Sequence, residues 1–294
     1  MGNFYRDNED LRYYVEGGGI DWDAIVQSTE RSVGEGQEFQ SVSEARESYI
    51  EVAEMLGAFA AEEIAPHAAA IDATGVRLND GRVELPPQVD RIMAQIDELG
   101  LHGMCLPREL GGMNLPMLLS LLTTEVMGRA DVSTMAHHGF HGGMALAMLF
   151  FSISEGSTEI DPETHEIRST RFANYIEEIR DGKAWGCMDI TEPDAGSDMA
   201  RLRCKAEEVD GQWFVSGQKI FITSGHGKYH FVIARSEEES GGDDLMAGLA
   251  GLSLFLVPTY EDGPEGRIDH ATVSRVEEKL GHHGSATCTI DFDR

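Results

Sequence analysis

Downstream of position 41 the apolar residues fall at helical spacing. Ile50, Ala53, Leu56, Gly57, Ala60 and Ile64 recur until Pro66, and Ser41 with Glu44 supplies a capping box at the start. Residues 87–99 predict a second helix, with Val89, Ile92, Met93, Ile96 and Leu99 on one face and Gly100 as its stop. A Pro and paired glycines punctuate residues 103–115, and helices are expected over 115–127 and from 132 or 133 to 151. The last of these is apolar on most sides, as a helix buried in a bundle would be. Residues 154–166 read as a polar loop and 169–180 as a further helix. The first 40 residues are polar and glycine-rich. Apart from Phe4, Tyr5, Tyr13, Tyr14 and the segment 20–26 they hold little apolar material, so they are expected to form an extension on a surface.

At Gly182 the period changes from 3.6 to 2. "WGCMDI", "CKAEEV", "QWFVSGQKIFITSG", "HFVIARS" and "GLSLFLVP" are short runs rich in β-branched and aromatic residues, separated by turns such as Asp210-Gly211. The fold class expected is α+β and multidomain, a helical bundle followed by a small antiparallel β sandwich or barrel. The boundaries read as 1–40 for the extension, 41–181 for the helical domain and 182–294 for the β domain.

Composition narrows the function. With 52 acidic and 23 basic residues the 294-residue chain carries a formal charge of −29, which would repel nucleic-acid phosphates and anionic membrane surfaces. Cys105, Cys187, Cys204 and Cys288 are widely spaced, without CxxC pairing, and read as reduced thiols. The N-terminus lacks the features of a secretory or transit peptide, and no run reaches the roughly 18 apolar residues of a membrane span. A cytoplasmic protein without a membrane span and without nucleic acid as a partner is expected. Neither GxGxxG after a strand nor GxxxxGK[ST] occurs, so any nucleotide cofactor must be held another way.

Two stretches carry candidate chemistry. "MDITEPDAGSDMA" (188–200) places Pro193, Ala195, Gly196 and Ser197 where a strand should end, leaving backbone N–H groups free for an anion or a ring edge. In "GQKIFITSG" (217–225), strand alternation would put Ile220 and Ile222 on one face and Lys219, Phe221 and Thr223 on the other. Alone, the first is equally well an ordinary turn, and the second reads as an ordinary strand whose Phe sits in a core.

Together, "ITEPDAGSD", "DGQWFVSGQKIFITSG", "LSLFLVP" and "EEKLGHHGSATCTIDFD" resemble the acyl-CoA dehydrogenase family, in its helical N-terminal and β middle domains. "LGLHGMCLPRELGGMNLPMLLSLLTTEVMGRADVST" resembles the preceding helix, Pro-x-x-x-Gly-Gly and helix. The resemblance spans roughly residues 95–293, and the N-terminal extension is similar to that of the larger bacterial members. It implies FAD as cofactor, an acyl-CoA thioester oxidised to its 2-enoyl product, an electron-transfer flavoprotein as electron acceptor, and a homo-oligomer for the full-length protein. Carried over by position, Met188, Ile190 and Thr191 would line the flavin. Gly196 and Ser197 would approach its pyrophosphate side, with Ser197 also toward the acyl-CoA. Phe221, Ile222 and Thr223 would form the second flavin-facing strand, Phe221 standing where many relatives have Trp and Thr223 near the flavin N5. Relatives carry the catalytic glutamate in a C-terminal helical domain, which is missing here. No catalytic residue is therefore assigned, and Glu192 is expected to play a structural part. The alternatives are an acyl-CoA oxidase-like flavoenzyme and a non-catalytic binding module.

The remaining candidates are weaker. His137, His138 and His141 share helical neighbourhood but lack a carboxylate partner of the HExxH kind, so no metal is expected. Cys187 reads as a buried strand cysteine, His282 and His283 as a solvent-exposed pair at a turn, and Glu237 to Asp244 as a solvated loop of like charge.

Overall fold

The computed structural model describes residues 2–237, 247–264 and 266–293. The like-charged stretch after Glu237 lies outside the described residues. The chain divides into a helical unit, Met1–Ala73 with Pro87–Lys183, and a β unit, Thr74–Pro86 with Ala184–Arg294.

The helical unit contains α1 (Glu9–Glu16), α2 (Trp22–Glu30), α3 (Val42–Phe59), α4 (Ala68–Thr74, its end crossing into the β unit), α5 (Pro87–Glu98), α6 (Met117–Ala130), α7 (Val132–Ser154) and α8 (Ala173–Arg180). The Ser41 hydroxyl accepts from Glu44 N–H at 3.2 Å, as the capping box requires, and α3 continues through a π turn at Ala60–Ile64 into the proline. On α5, Val89, Ile92, Met93 and Ile96 are buried, the face the periodicity indicated.

The first 40 residues are not a surface extension. Asn8 and Asp21 cap α1 and α2, and Tyr5, Leu11, Val15, Trp22 and Val26 are buried. Each such side chain contributes roughly 1.5–3 kcal/mol of apolar burial. Gly57 allows the approach, since a Cβ there would come within 2.6 Å of the Tyr5 nitrogen. Tyr49 donates to Glu30 at 2.6 Å, and Arg108 pairs with the same carboxylate at 2.7 Å. These helices have 8 and 9 residues, too short for their periodicity to stand out from the polar residues around them.

Nor is the first half all helix. β1 (Arg77–Asn79) and β2 (Arg82–Glu84) form a hairpin whose turn residues, Asp80 and Gly81, have φ of 47° and 74°. The Asp-Gly pair was the available signal. The segment read as a loop at 154–166 supplies β3 (Thr158–Ile160), which pairs with β4 (Ile167–Thr170).

The β unit holds β5 (Gly186–Asp189), β6 (Lys205–Val209), β7 (Gln212–Thr223), β8 (Tyr229–Arg235), β9 (Leu252–Pro258), β10 (Tyr260–Gly263), β11 (Gly266–Asp269), β12 (Thr272–Val276) and β13 (Thr287–Asp293). Seven strands form one sheet in the order β12-β13-β7-β6-β8-β5, with β9 also on β8, and β10 pairs with β11. Most ladders are antiparallel. β5 runs parallel to β8, and β6 meets β8 in parallel through Lys205 and Arg235, which the antiparallel expectation did not include. Val215, Ile222, Val232, Ile290 and Phe292 build the core, and Val76, Val83 and Leu85 from the β1–β2 segment pack against it.

Candidate functional site

Strand β5 ends at a loop pinned from three sides. Pro193 and Asp194 turn between Glu192 and Ala195, whose N–H and C=O groups exchange hydrogen bonds of 2.9 and 3.1 Å. The Glu192 side chain is folded inward. Its carboxylate accepts from the N–H groups of Arg203 at 2.6 Å and Cys204 at 3.0 Å, and from Lys219 Nζ at 2.8 Å. Burial pushes this carboxyl upward, but the Lys219 ammonium and the two N–H groups outweigh it and hold Glu192 below the usual carboxylate range. Lys219 Nζ also donates to the Ile190 carbonyl at 2.9 Å, and Ile220 N–H donates to the Thr191 carbonyl at 2.9 Å. The two candidate stretches are thus joined to one another, and Glu192 has the structural part expected of it.

Strand β7 departs from simple alternation here. Against β13, Ile222 pairs with Cys288 while Lys219 pairs with Ile290, so β7 holds one residue more over the same span. This is a β-bulge. Phe221 absorbs it with φ of 61°, a conformation that an aromatic L-residue rarely adopts. The expected grouping of Lys219, Phe221 and Thr223 on one face is therefore broken. Lys219 and Ile222 are buried, and the Phe221 ring is 57% exposed. Ile222 belongs to the core, so its side chain is committed to packing and only its backbone faces elsewhere.

Like Phe221, Met188 presents apolar surface, at 41% exposure, while Thr191 and Thr223 are half-buried and Gly196 and Ser197 are exposed. A Cβ added at Gly196 would meet nothing within 4 Å. Apolar surface, two hydroxyls and an open backbone turn occur together in the β unit. That combination suits a flat heteroaromatic ring with a polar edge.

On the buried face of β5, Cys187 and Asp189 alternate with Met188. The Cys187 thiol donates to Asp189 Oδ1 at 3.3 Å, and His230 Nδ1 donates to Oδ2 at 2.9 Å. Among the described residues these three have ligand atoms within 4.8 Å of one another. Their mutual hydrogen bonds satisfy them without an ion. Burial and then the Asp189 charge push the Cys187 thiol well up, so it is a poor nucleophile.

The histidines of α7 are buried, and His102, which its sequence context did not single out, stacks on His141 with ring centroids 4.5 Å apart. His282 and His283 are half-buried and not the exposed pair expected, with His283 Nε2 donating to the Lys279 carbonyl at 2.8 Å. Among the described residues, no helix is long and apolar enough to cross a membrane.

Residues 46–184 match the acyl-CoA dehydrogenase N-terminal domain and residues 187–294 the acyl-CoA dehydrogenase middle domain. The chain belongs to the acyl-CoA dehydrogenase family. It is 33% identical over 249 residues to the 3-methylmercaptopropionyl-CoA dehydrogenase of Ruegeria pomeroyi, covering 82% of this chain and 39% of that protein. It is 30% identical to the mitochondrial isovaleryl-CoA dehydrogenase of Oryza sativa subsp. japonica, over 80% of this chain and 49% of the relative. The chain spans at most about half the length of these two curated relatives. Its fold is that of the butyryl-CoA dehydrogenase of Megasphaera elsdenii, with a TM-score of 0.63 at 18% identity over 84% of this chain and 55% of that one.

Proposed function

We propose that the chain is the flavin-facing part of an FAD-dependent acyl-CoA dehydrogenase that converts an acyl-CoA thioester to its 2-enoyl-CoA and passes electrons to an electron-transfer flavoprotein. The observation that carries this reading is the bulge that holds Phe221 outward beside a loop fixed to it through Lys219 and Ile220. The residues fit the group. Phe221 and Met188 offer apolar surface to the isoalloxazine, and Thr191 and Thr223 offer hydroxyls to its polar edge. Gly196 and Ser197 leave the backbone open to the pyrophosphate, with Ser197 also toward the substrate. Ile190 and Ile222 contribute through their backbones. When bound, FAD supplies the hydride acceptor.

The chain's own part is to orient and to shield. Lys219 and Glu192 fix the height of the loop, so that the Thr191 hydroxyl is presented without rearrangement. Phe221 covers one side of the ring against water. Glu192 is not assigned to proton abstraction, because three donors occupy its carboxylate. A cytoplasmic location and homo-oligomeric assembly of the whole protein complete the reading.

Titration of the purified chain with FAD, followed by flavin fluorescence, tests it. Saturable binding that weakens several-fold in Thr191→Val and in Phe221→Ala is expected. Saturable binding indifferent to both substitutions, or no binding, overturns the assignment.

A further inference from the structure

Arg235 closes β8 in the β unit, and its guanidinium is directed at backbone carbonyls. Nη2 donates to Ala200 at 3.2 Å and to Gly248 at 3.0 Å, Nη1 to Ala250 at 3.0 Å, and Nε to Leu202 at 3.4 Å. Carbonyls from two separate turns, Met199–Arg201 with Leu202 and Ala247–Leu249 with Ala250, are thus gathered on one planar cation. The Arg235 N–H adds a bond of 2.7 Å to the Cys204 carbonyl. Gly248 lets the two turns close on one another, since a Cβ there would lie 2.5 Å from that of Ala200. A guanidinium carries five N–H donors in a fixed fork, whereas an ammonium has three and no plane, so lysine cannot reproduce this arrangement.

The segment held in this way directly follows the Gly196–Ser197 turn. Its N–H side is held as well, because Glu192 receives the N–H groups of Arg203 and Cys204. Upstream, Glu192 and Ala195 exchange backbone hydrogen bonds. Between these anchors Gly196 and Ser197 are exposed, and their N–H groups make no hydrogen bond among the described residues. A short stretch with open donors and fixed ends is pre-organised for an anion, and loosening one end makes binding bear the entropy of ordering it.

We infer that Arg235 is a positioning residue for the pyrophosphate of FAD, acting through the Gly196–Ser197 turn by fixing the segment that follows it to the 247–250 turn. The inference rests on the FAD reading and adds to it a residue outside both flavin-lining stretches.

Fluorescence titration of the chain with FAD and with riboflavin, which shares the ring and lacks the pyrophosphate, tests it. Arg235→Lys should weaken FAD binding about tenfold, which corresponds to ordering the backbone of roughly one residue, and riboflavin binding less than about twofold. Gly248→Ala parts the two turns while leaving the guanidinium in place. It should show the same split, and it alone decides if Arg235→Lys does not fold. Equal weakening of FAD and riboflavin, or FAD binding unchanged in either folded variant, overturns the inference and leaves the FAD reading standing. A parent chain that binds no FAD, or no riboflavin, overturns both.

Discussion

Lys219 Nζ sits 2.8 Å from Glu192 Oε1, with both side chains withdrawn from solvent at 0% and 6% exposure. Further hydrogen bonds hold the pair, because a second ammonium donor reaches the Ile190 carbonyl and the other carboxylate oxygen receives Arg203 N–H. Removing one partner leaves an uncompensated buried charge. Lys219→Met should therefore destabilise the chain by about 3–5 kcal/mol, and Lys219→Met with Glu192→Gln by less. Urea midpoints of the two variants check this, and equal losses would refute the coupling.

Phe221 provides a test of backbone strain. A left-handed conformation is unfavourable by roughly 1–2 kcal/mol for an L-residue and free for glycine, and the ring has little burial to lose. Phe221→Gly should hold or raise stability by about 1 kcal/mol while weakening FAD binding. Phe221→Val, β-branched at the same φ, should lower stability by about 1–2 kcal/mol. Thermal melts beside flavin titrations distinguish the strain from the ring contact, and a destabilised glycine variant would contradict the strain.

The buried histidines set a pH dependence. His102 is pushed down to about 3, and His138 and His226 to about 4, each chiefly by burial, from an ordinary 6.5. Between those limits the unfolded chain binds more protons than the folded one. Stability should then fall as pH drops from about 7 to 4, by up to about 1.4 kcal/mol per pH unit for each histidine. In His138→Phe the slope of stability against pH over this interval should be shallower, and parallel slopes for variant and parent would count against the burial of a neutral ring.

Thiol labelling should proceed in two phases. Cys105 is half-buried, and burial lifts its thiol to about 11. Cys204 and Cys288 are buried and lifted to about 12, and Cys187 is raised as well. With a disulfide reagent at pH 8, Cys105 should react first, and the other three at the rate of unfolding. Early loss of more than one thiol equivalent would be inconsistent with this packing.

Periodicity located α3 and α5 because each has enough turns for its buried stripe to repeat, whereas α1 and α2 are too short for that. The switch to strands near residue 182 was legible for the same reason. At the candidate site the ordered motifs made Thr191, Phe221 and Thr223 visible, but not how they are held. A bulge is a register event between two strands, and nothing in "QKIFIT" alone states that Cys288 will oppose Ile222 and Ile290 will oppose Lys219. His102 lies 36 positions before His138, so the cavity that both rings line is a property of packing and has no local sequence signature.

The β1–β2 hairpin belongs to the β unit while being encoded inside the helical one, and the chain passes between units after Ala73, Pro86 and Lys183. During synthesis the hairpin emerges roughly 190 residues before β12, the strand it contacts. At about 5–20 residues per second that is a wait of roughly 10–40 s with Val76, Val83 and Leu85 uncovered. A gene fragment beginning at Ala184 would encode the sheet without this cover, so the boundary that looks natural in the amino-acid pattern is the wrong place to cut.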